Sequence, residues 1–436
     1  ESMSMMKRRA VWMLGLLMIS LQALAEPLRI EITEGVSSAL PVAIVPFAGA
    51  EQAPGAPVHA IVNADLARSG RFDTLATNEM PQQPSSLDQM NIPAWRTTGV
   101  NYAAVGQVIP QGAGNYMIRF QIVDIPRGQQ IAAFQVPASA DDMRSAAHRV
   151  SDLIYEQLLG ERGAFNTRIA YVSVPNRPRV GQPAEYLLMV SDADGENGRT
   201  VLKSKEPLMS PVWSPDGRQL AYVSFESGRS QIFSQELATG KRRLLSSRPG
   251  INGAPSWSPD GRRMAIALSD GPNTHIHLLD LETDSVRKIT QGAAIDTEPT
   301  WSPDGSKLAF TSDRGGRPQI YEMDLGSGQI RRITYQGNYN ARPRYSPDGK
   351  SIVMIQGGSS FRIAVQDLQS GAVRVLSSGP EDESPSFAPN GAMIIYASQY
   401  GGNGVLSTVS FDGKVRQRVA GTGDIREAAW SPFRPR

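Results

Sequence analysis

A seven-residue signature recurs through the C-terminal part of the chain and constrains the fold more than any other feature. Pro211-Val212-Trp213-Ser214-Pro215-Asp216-Gly217 returns as Pro255-Ser256-Trp257-Ser258-Pro259-Asp260-Gly261 and as Pro299-Thr300-Trp301-Ser302-Pro303-Asp304-Gly305. It then loosens to Pro343-Arg344-Tyr345-Ser346-Pro347-Asp348-Gly349 and Pro385-Ser386-Phe387-Ala388-Pro389-Asn390-Gly391, with a partial copy at Ala428-Ala429-Trp430-Ser431-Pro432. First residues at 211, 255, 299, 343, 385 and 428 give a period of 42 to 44. That period holds four short strands and their turns, the size of one propeller blade.

Each repeat supplies the parts of such a blade. The turn is followed by an alternating strand (Leu220 to Val223, Leu308 to Thr311), a polar glycine-containing loop, and a second strand (Gln231 to Phe233, Gln319 to Tyr321). A further turn, Ala238-Thr239-Gly240-Lys241, leads to the outer strand at Arg243-Leu244-Leu245. In the signature, Pro presets φ, Asp bonds its own backbone and Gly takes the left-handed closing position. The preceding aromatic is expected to wedge between neighbouring blades. These motifs are scaffold rather than catalytic apparatus.

Three strands, Arg168 to Val174, Tyr186 to Ser191 and Thr200 to Lys203, lack a leading Trp-Ser-Pro strand, while Glu427 to Trp430 lacks followers. Together they make a sixth blade that closes the ring and removes the free sheet edge. The expected architecture is a small N-terminal α/β domain followed by a six-bladed β-propeller, with residues 26–164 and 165–436 as the two domains. In the first of these, Pro41 to Phe47, Tyr102 to Val108, Tyr116 to Asp124 and Gln130 to Val136 read as strands and Val58 to Ser69 as a helix. Asp141 to Leu159 carries a helical apolar stripe with Asp141 placed as its cap. Met80 to Pro93 reads as a surface loop.

Lys7-Arg8-Arg9, the apolar run Ala10 to Ile19 and Ala23-Leu24-Ala25 have the grammar of a secretory leader, with cleavage between Ala25 and Glu26. The apolar run is too short to span a bilayer, which needs ~20 residues. The formal charge of +2 belongs to this leader, whose three basic residues face only Glu1, so the mature chain is neutral. Neutrality argues against a phosphate-backbone binder, and no nucleic-acid partner or membrane insertion is expected. With no cysteine at all, thiolate zinc sites, thiol nucleophiles and disulfide scaffolds are excluded. After the leader, Leu28, Ile30 and Ile32 alternate like a strand until Gly35-Val36-Ser37-Ser38 interrupts it, describing a strap that either docks or detaches.

No nucleophile elbow, zincin helix or phosphate loop occurs. Among four histidines, His275 and His277 share one side of a strand, but no third ligand accompanies them, so they read as a polar pair. The residues joining each outer strand to the next inner strand are expected as loops around the channel mouth: Leu208-Met209-Ser210, Ile251 to Ala254, Asp296-Thr297-Glu298, Tyr339 to Arg342, Glu381 to Ser384 and Asp424 to Glu427. Asp296, Glu298, Glu381, Asp382, Glu383, Asp424 and Glu427 outnumber Arg342 and Arg426, an acidic mouth suited to a charged protein partner or to a cation in the channel.

The chain also resembles the TolB family of periplasmic propeller proteins of the Tol-Pal envelope system. The stretches that carry the resemblance are Glu26-Pro27-Leu28-Arg29-Ile30, Val45-Pro46-Phe47, Pro81-Gln82-Gln83-Pro84, Gly163-Ala164-Phe165, Arg168 to Val172, Pro207 to Pro211 and Asn252-Gly253-Ala254-Pro255. The resemblance implies a non-enzymatic role without cofactors, with the lipoprotein Pal bound at the mouth. Its contacts would be Met209, Asn252, Gly253, Ala254, Asp296, Thr297, Glu298, Arg342, Glu381, Asp382 and Glu383. It further implies that TolA binds the strap through Glu26, Leu28, Ile30, Ile32 and Val36, and that colicin-type toxins exploit the mouth. Competing classes are a propeller accessory domain of a serine peptidase-like protein and a sugar-binding protein.

Overall fold

The computed structural model describes residues 39–175, 180–419 and 423–436. The leader, its cleavage position and the strap with Glu26, Leu28, Ile30, Ile32 and Val36 lie outside the described residues.

The N-terminal domain is a five-stranded sheet built from β1 (Leu40–Ile44), β2 (Phe72–Thr74), β3 (Tyr102–Gly112), β4 (Asn115–Asp124) and β5 (Gln129–Ser139), in the order β2-β1-β3-β4-β5. β1 pairs in parallel with β2 and β3, and β3-β4-β5 continue as antiparallel hairpins. Because side chains alternate across a strand, Val42, Ile44, Ala104 and Val108 face one side. There the helices α1 (Val58–Arg68) and α3 (Met143–Leu159) bury Val62, Leu66, Ala147, Val150 and Ile154 against them.

Ala43, Val45, Ala103 and Val105 face the opposite side and are covered as well. The segment expected as a surface loop folds back over them and leads into a short helix, α2 (Ile92–Arg96). Its Trp95 is fully buried and donates Nε1 to Gln82 Oε1 at 3.1 Å, while Met80, Leu87 and Met90 pack beside it. Pro, Gln and Ser content concealed this layer, since only four apolar anchors in the stretch reach the sheet. Nor does Asp141 cap α3. The N-cap residue is Asp142, and its carboxylate accepts from Ser139 N–H at 2.6 Å and from the Ser139 hydroxyl, turning back toward β5.

Six four-stranded antiparallel sheets follow, the last made of Asp424–Trp430 hydrogen-bonded to Arg168–Val174 and then Tyr186–Asp192 and Arg199–Ser204. The ring therefore closes with one strand from the C-terminus and three from the start of the propeller. In the full signatures the glycine lies at φ near 71° to 74° and the Asp accepts a backbone N–H two residues on, as in Asp216 Oδ1 with Arg218 at 2.9 Å. The signature tryptophans wedge between blades, and two of the three in full signatures add a bond that composition does not reveal, while Trp257 Nε1 is buried without a partner among the described residues. Trp213 Nε1 donates to Ala429 O and Trp301 Nε1 to Ser256 O, each at 3.0 Å and each into the preceding blade.

The N-terminal domain docks on the end of the propeller that carries the Pro-Asp-Gly turns. Asn390 Nδ2 donates to Arg162 O at 3.1 Å, Arg434 bonds Ser145 and Asn166, and Gly70 lies against Val415. At the centre of this contact is buried His148 of α3. Its Nδ1 lies 2.6 Å from Asp65 Oδ2 on α1, and its Nε2 lies 3.3 Å from Asp194 Oδ2 in a propeller turn. Ser151 Oγ donates to Asp65 at 2.7 Å, and Arg144 pairs with Asp194 and Asp192. Among the described residues, Asp65, His148 and Asp194 are the group whose ligand atoms approach closely enough to hold a metal ion. His275 and His277 are not such a group: His275 is buried against Asp296 Oδ2 at 3.1 Å, and His277 Nδ1 sits 3.1 Å from the His275 carbonyl. No described helix is long and apolar enough to cross a membrane.

Candidate binding face at the propeller mouth

Docking of the N-terminal domain leaves the other end of the propeller uncovered by any described residue. There the innermost strands begin: Leu208–Trp213, Asn252–Trp257, Asp296–Trp301, Tyr339–Tyr345, Glu383–Phe387 and Asp424–Trp430. The residues expected as mouth loops are thus largely strand residues, paired to the second strand of each blade, and this changes what they present.

Every innermost strand carries a register break at its start. At each break one non-glycine residue takes a left-handed backbone: Ser210, Ala254, Glu298, Arg342, Ser384 and Glu427, with φ between 49° and 57°. Non-glycine residues seldom accept this conformation, and a bulge of this kind re-aims a side chain. All six line one cavity of about 250 Å³ at the head of the channel, together with Met209, Thr297 and Arg344. The proline after five of the six biases its predecessor away from the right-handed helical region. The signal was therefore present in the repeat, though not its direction.

Arg342 organises this ring. Its Nε donates to Glu298 Oε2 at 2.7 Å and its Nη1 to Ser384 Oγ at 2.8 Å, while Glu427 Oε2 lies at 3.4 Å. Burial, the largest influence, acts to lower its pKa, but the carboxylates of Glu427, Glu298 and Glu383 outweigh it and hold the guanidinium above its ordinary value. Glu383 at the rim is pushed up by desolvation and by Glu427. The place between Glu298 and Glu427 that an acidic mouth would offer to a metal cation is filled by a guanidinium.

Several residues expected to meet a partner have fully buried side chains. Asn252 Oδ1 accepts from Ser246 Oγ at 2.6 Å and Arg248 N at 3.0 Å; Asp296 pairs with Arg314 at 2.9 Å; Asp382 accepts from Gly379 N at 2.8 Å. Asp424 likewise accepts from Gly404 N at 2.6 Å and pairs with Arg426. Asn252 and Asp382 tie a crossover to the blade it enters and Asp296 ties its strand to a hairpin of the same blade, so all three shape the face from beneath. Ala254 and Arg342 line the channel, Gly253 lies beside them, and Met209, Thr297, Glu298, Glu381 and Glu383 keep accessible surface.

The mouth also carries a set of residues that the charge-based reading passed over. Among the described residues, Val180, Met209, Ile251, Ile295, Tyr335, Phe361 and Tyr400 are exposed, and all occupy hairpins, crossovers or strand starts at this end. The remaining exposed large apolar side chains, Ile131, Leu244 and Val375, lie in the N-terminal sheet and on outer strands. A concentration of apolar side chains around a charged ring is the composition of a protein-binding surface. Phe361 packs edge-on to Tyr339 at 5.4 Å, and Arg418 lies over the Tyr400 ring at 3.5 Å, so two of the aromatics are held in place.

Comparison with known proteins accords with this architecture. Residues 155–434 match the model of the TolB beta propeller domain, and residues 28–131 match that of the TolB amino-terminal domain. The chain is similar to the Tol-Pal system protein TolB of Thioalkalivibrio sulfidiphilus, 60% identical over 93% of this chain and 94% of that one. It is also similar to the protein of that name in Methylococcus capsulatus, 60% identical over 98% and 100%. The crystal structure of TolB from Acinetobacter baumannii superposes with a TM-score of 0.83 at 41% identity, covering 91% of this chain and 97% of that one. With both domains matched and the identity sustained over nearly the full length, the chain belongs to the TolB family of the Tol-Pal system.

Proposed function

We propose that this protein is a periplasmic, non-enzymatic adaptor of the Tol-Pal system that binds Pal on the mouth face and TolA through the strap at residues 26–38, in support of outer-membrane integrity and constriction during division. The observation that carries the reading is the segregation of exposed apolar side chains to the one propeller end that the N-terminal domain leaves open. Ile251, Ile295 and Phe361 supply apolar anchors, and Glu298, Glu381 and Glu383 supply charge at the centre and rim. A few desolvated anchors inside a polar surround account for most of the free energy of such interfaces.

The test is calorimetric titration of soluble Pal domain into wild-type protein and into the Ile251→Asp/Ile295→Asp variant. Both substitutions are at exposed sites, so the melting temperature is expected to stay within about 2 °C of wild type, while affinity falls at least about 30-fold. Unchanged affinity would remove Pal from this face. Deleting residues 26–38 is expected to abolish binding of the TolA periplasmic domain and to leave the fold intact; retained TolA binding refutes the strap assignment. If the strap and mouth communicate, saturating Pal changes TolA affinity by the same factor as TolA changes that of Pal.

A further inference from the structure

Beneath the ring of bulge residues the channel has a second ring. It is formed by the residue before the signature aromatic in each blade: Val212, Ser256, Thr300, Arg344, Ser386 and Ala429. All six line a cavity of about 220 Å³ on the side toward the Pro-Asp-Gly turns, and its wall contains no carboxylate. Its single charge is Arg344, which also lines the cavity above.

Arg344 differs from its neighbour two residues earlier. Whereas Arg342 is engaged by Glu298, Ser384 and Glu427, no described residue accepts a hydrogen bond from Arg344 or pairs with it. Desolvation by the channel wall, then the charge of Arg342, lowers its pKa, opposed less strongly by Glu298 and Glu427. The hydroxyls of Ser256 and Thr300 on the same ring likewise have no partner among the described residues. Arg344 is half-buried and borders both cavities, so its five N–H donors are open to a ligand that need not displace an internal partner, with the hydroxyls of Ser256 and Thr300 on the same wall.

We propose that this lower ring is a binding site for a small organic monocarboxylate, its carboxylate received by the Arg344 guanidinium. The planar fork of arginine matches a carboxylate through two parallel N–H bonds. A dianion such as phosphate is disfavoured because Glu298 and Glu427 lie on the same channel and repel a second negative charge. Pro211, Val212, Ala428 and Pro432 provide apolar wall for a short hydrocarbon body. The volume lies below the ~300 Å³ at which pockets begin to take drug-sized ligands, which limits the guest to a few non-hydrogen atoms.

The experiment titrates the intact mature protein with acetate, butyrate and phenylacetate, with the corresponding amides, and with inorganic phosphate, observed by ligand NMR. At least one acid is expected to bind about tenfold or more tightly than its amide and more tightly than phosphate, and Arg344→Gln to erase the preference. Equal binding of acid and amide, absence of saturable binding for every acid, or tighter binding of phosphate overturns the proposal. Arg344→Lys guards against a folding defect in the glutamine variant: it keeps the charge and loses the fork, so its acid-over-amide preference should shrink but persist. Wild-type preference in the lysine variant overturns the fork as its source.

Discussion

His148 offers the sharpest test of how the two domains are joined. Burial alone would push its pKa down, but the carboxylates of Asp65 and Asp194 on either side of the ring reverse this and raise it from 6.5 to about 9. The same imidazolium holds Asp194 below the ordinary carboxylate range against desolvation. The two shifts describe one interaction and are not added. A rise from 6.5 to about 9 corresponds to about 3 kcal/mol favouring the folded state. Because the folded pKa is the higher one, this contribution is complete below pH 6.5, declines as pH climbs through about 9 and is absent beyond it. Burial pushes Asp152 up to about 7, so its titration is largely finished at the start of a window from about pH 7.5 to 9.5. Urea unfolding across that window is expected to show wild-type stability falling steadily, by up to about 2 kcal/mol, with His148→Gln nearly flat. The variant should also lose about 3 to 5 kcal/mol near pH 6.5, since Asp65 is left buried with less compensation. A wild-type profile that is level from pH 7.5 to 9.5, or an equal slope in the variant, refutes the assignment of a protonated His148 to the domain contact.

Two further predictions concern the ring. Trp301→Phe keeps the wedge between blades but removes the donor to Ser256 O, and is expected to cost about 1 to 3 kcal/mol in urea unfolding; a cost under about 0.5 kcal/mol would mean that water replaces the bond. Gly404→Ala would place a Cβ 2.2 Å from Ile425 O and 2.7 Å from Asp424 Oδ1, against the strand that closes the sixth blade. A loss of about 2 kcal/mol or more is expected, with increased proteolysis near the C-terminus; wild-type stability would show that the closing strand yields readily.

Much of this architecture is local chemistry repeated at a fixed period, and it is legible for that reason. Pro, Asp and Gly at set offsets specify each turn, alternation specifies each strand, and the orphan strands at the two ends require closure. The same sequence logic misassigned positions whose fate depends on distant partners. Asn252, Asp296 and Asp382 look like acidic or polar mouth residues because their neighbours are loop-like, yet bonds to Ser246 and His275 of the preceding blade draw the first two inside, and Gly379 N–H of its own crossover holds the third. Met80 to Pro93 reads as solvent-facing from its composition, but Trp95 and its apolar companions cover a sheet face formed by strands far along the chain.

What the sequence by itself determined is the blade count, the closure and the presence of a preceding α/β domain, because each follows from periodicities that need no knowledge of contacts. What only the tertiary structure decided is which end of the propeller is free, which carboxylates are already spent on Arg342, and that Arg344 stands unpaired beneath them. These depend on six bulges converging on one axis and on a domain docking against one rim. Such distances arise between residues tens to hundreds of positions apart, where no local pattern records them.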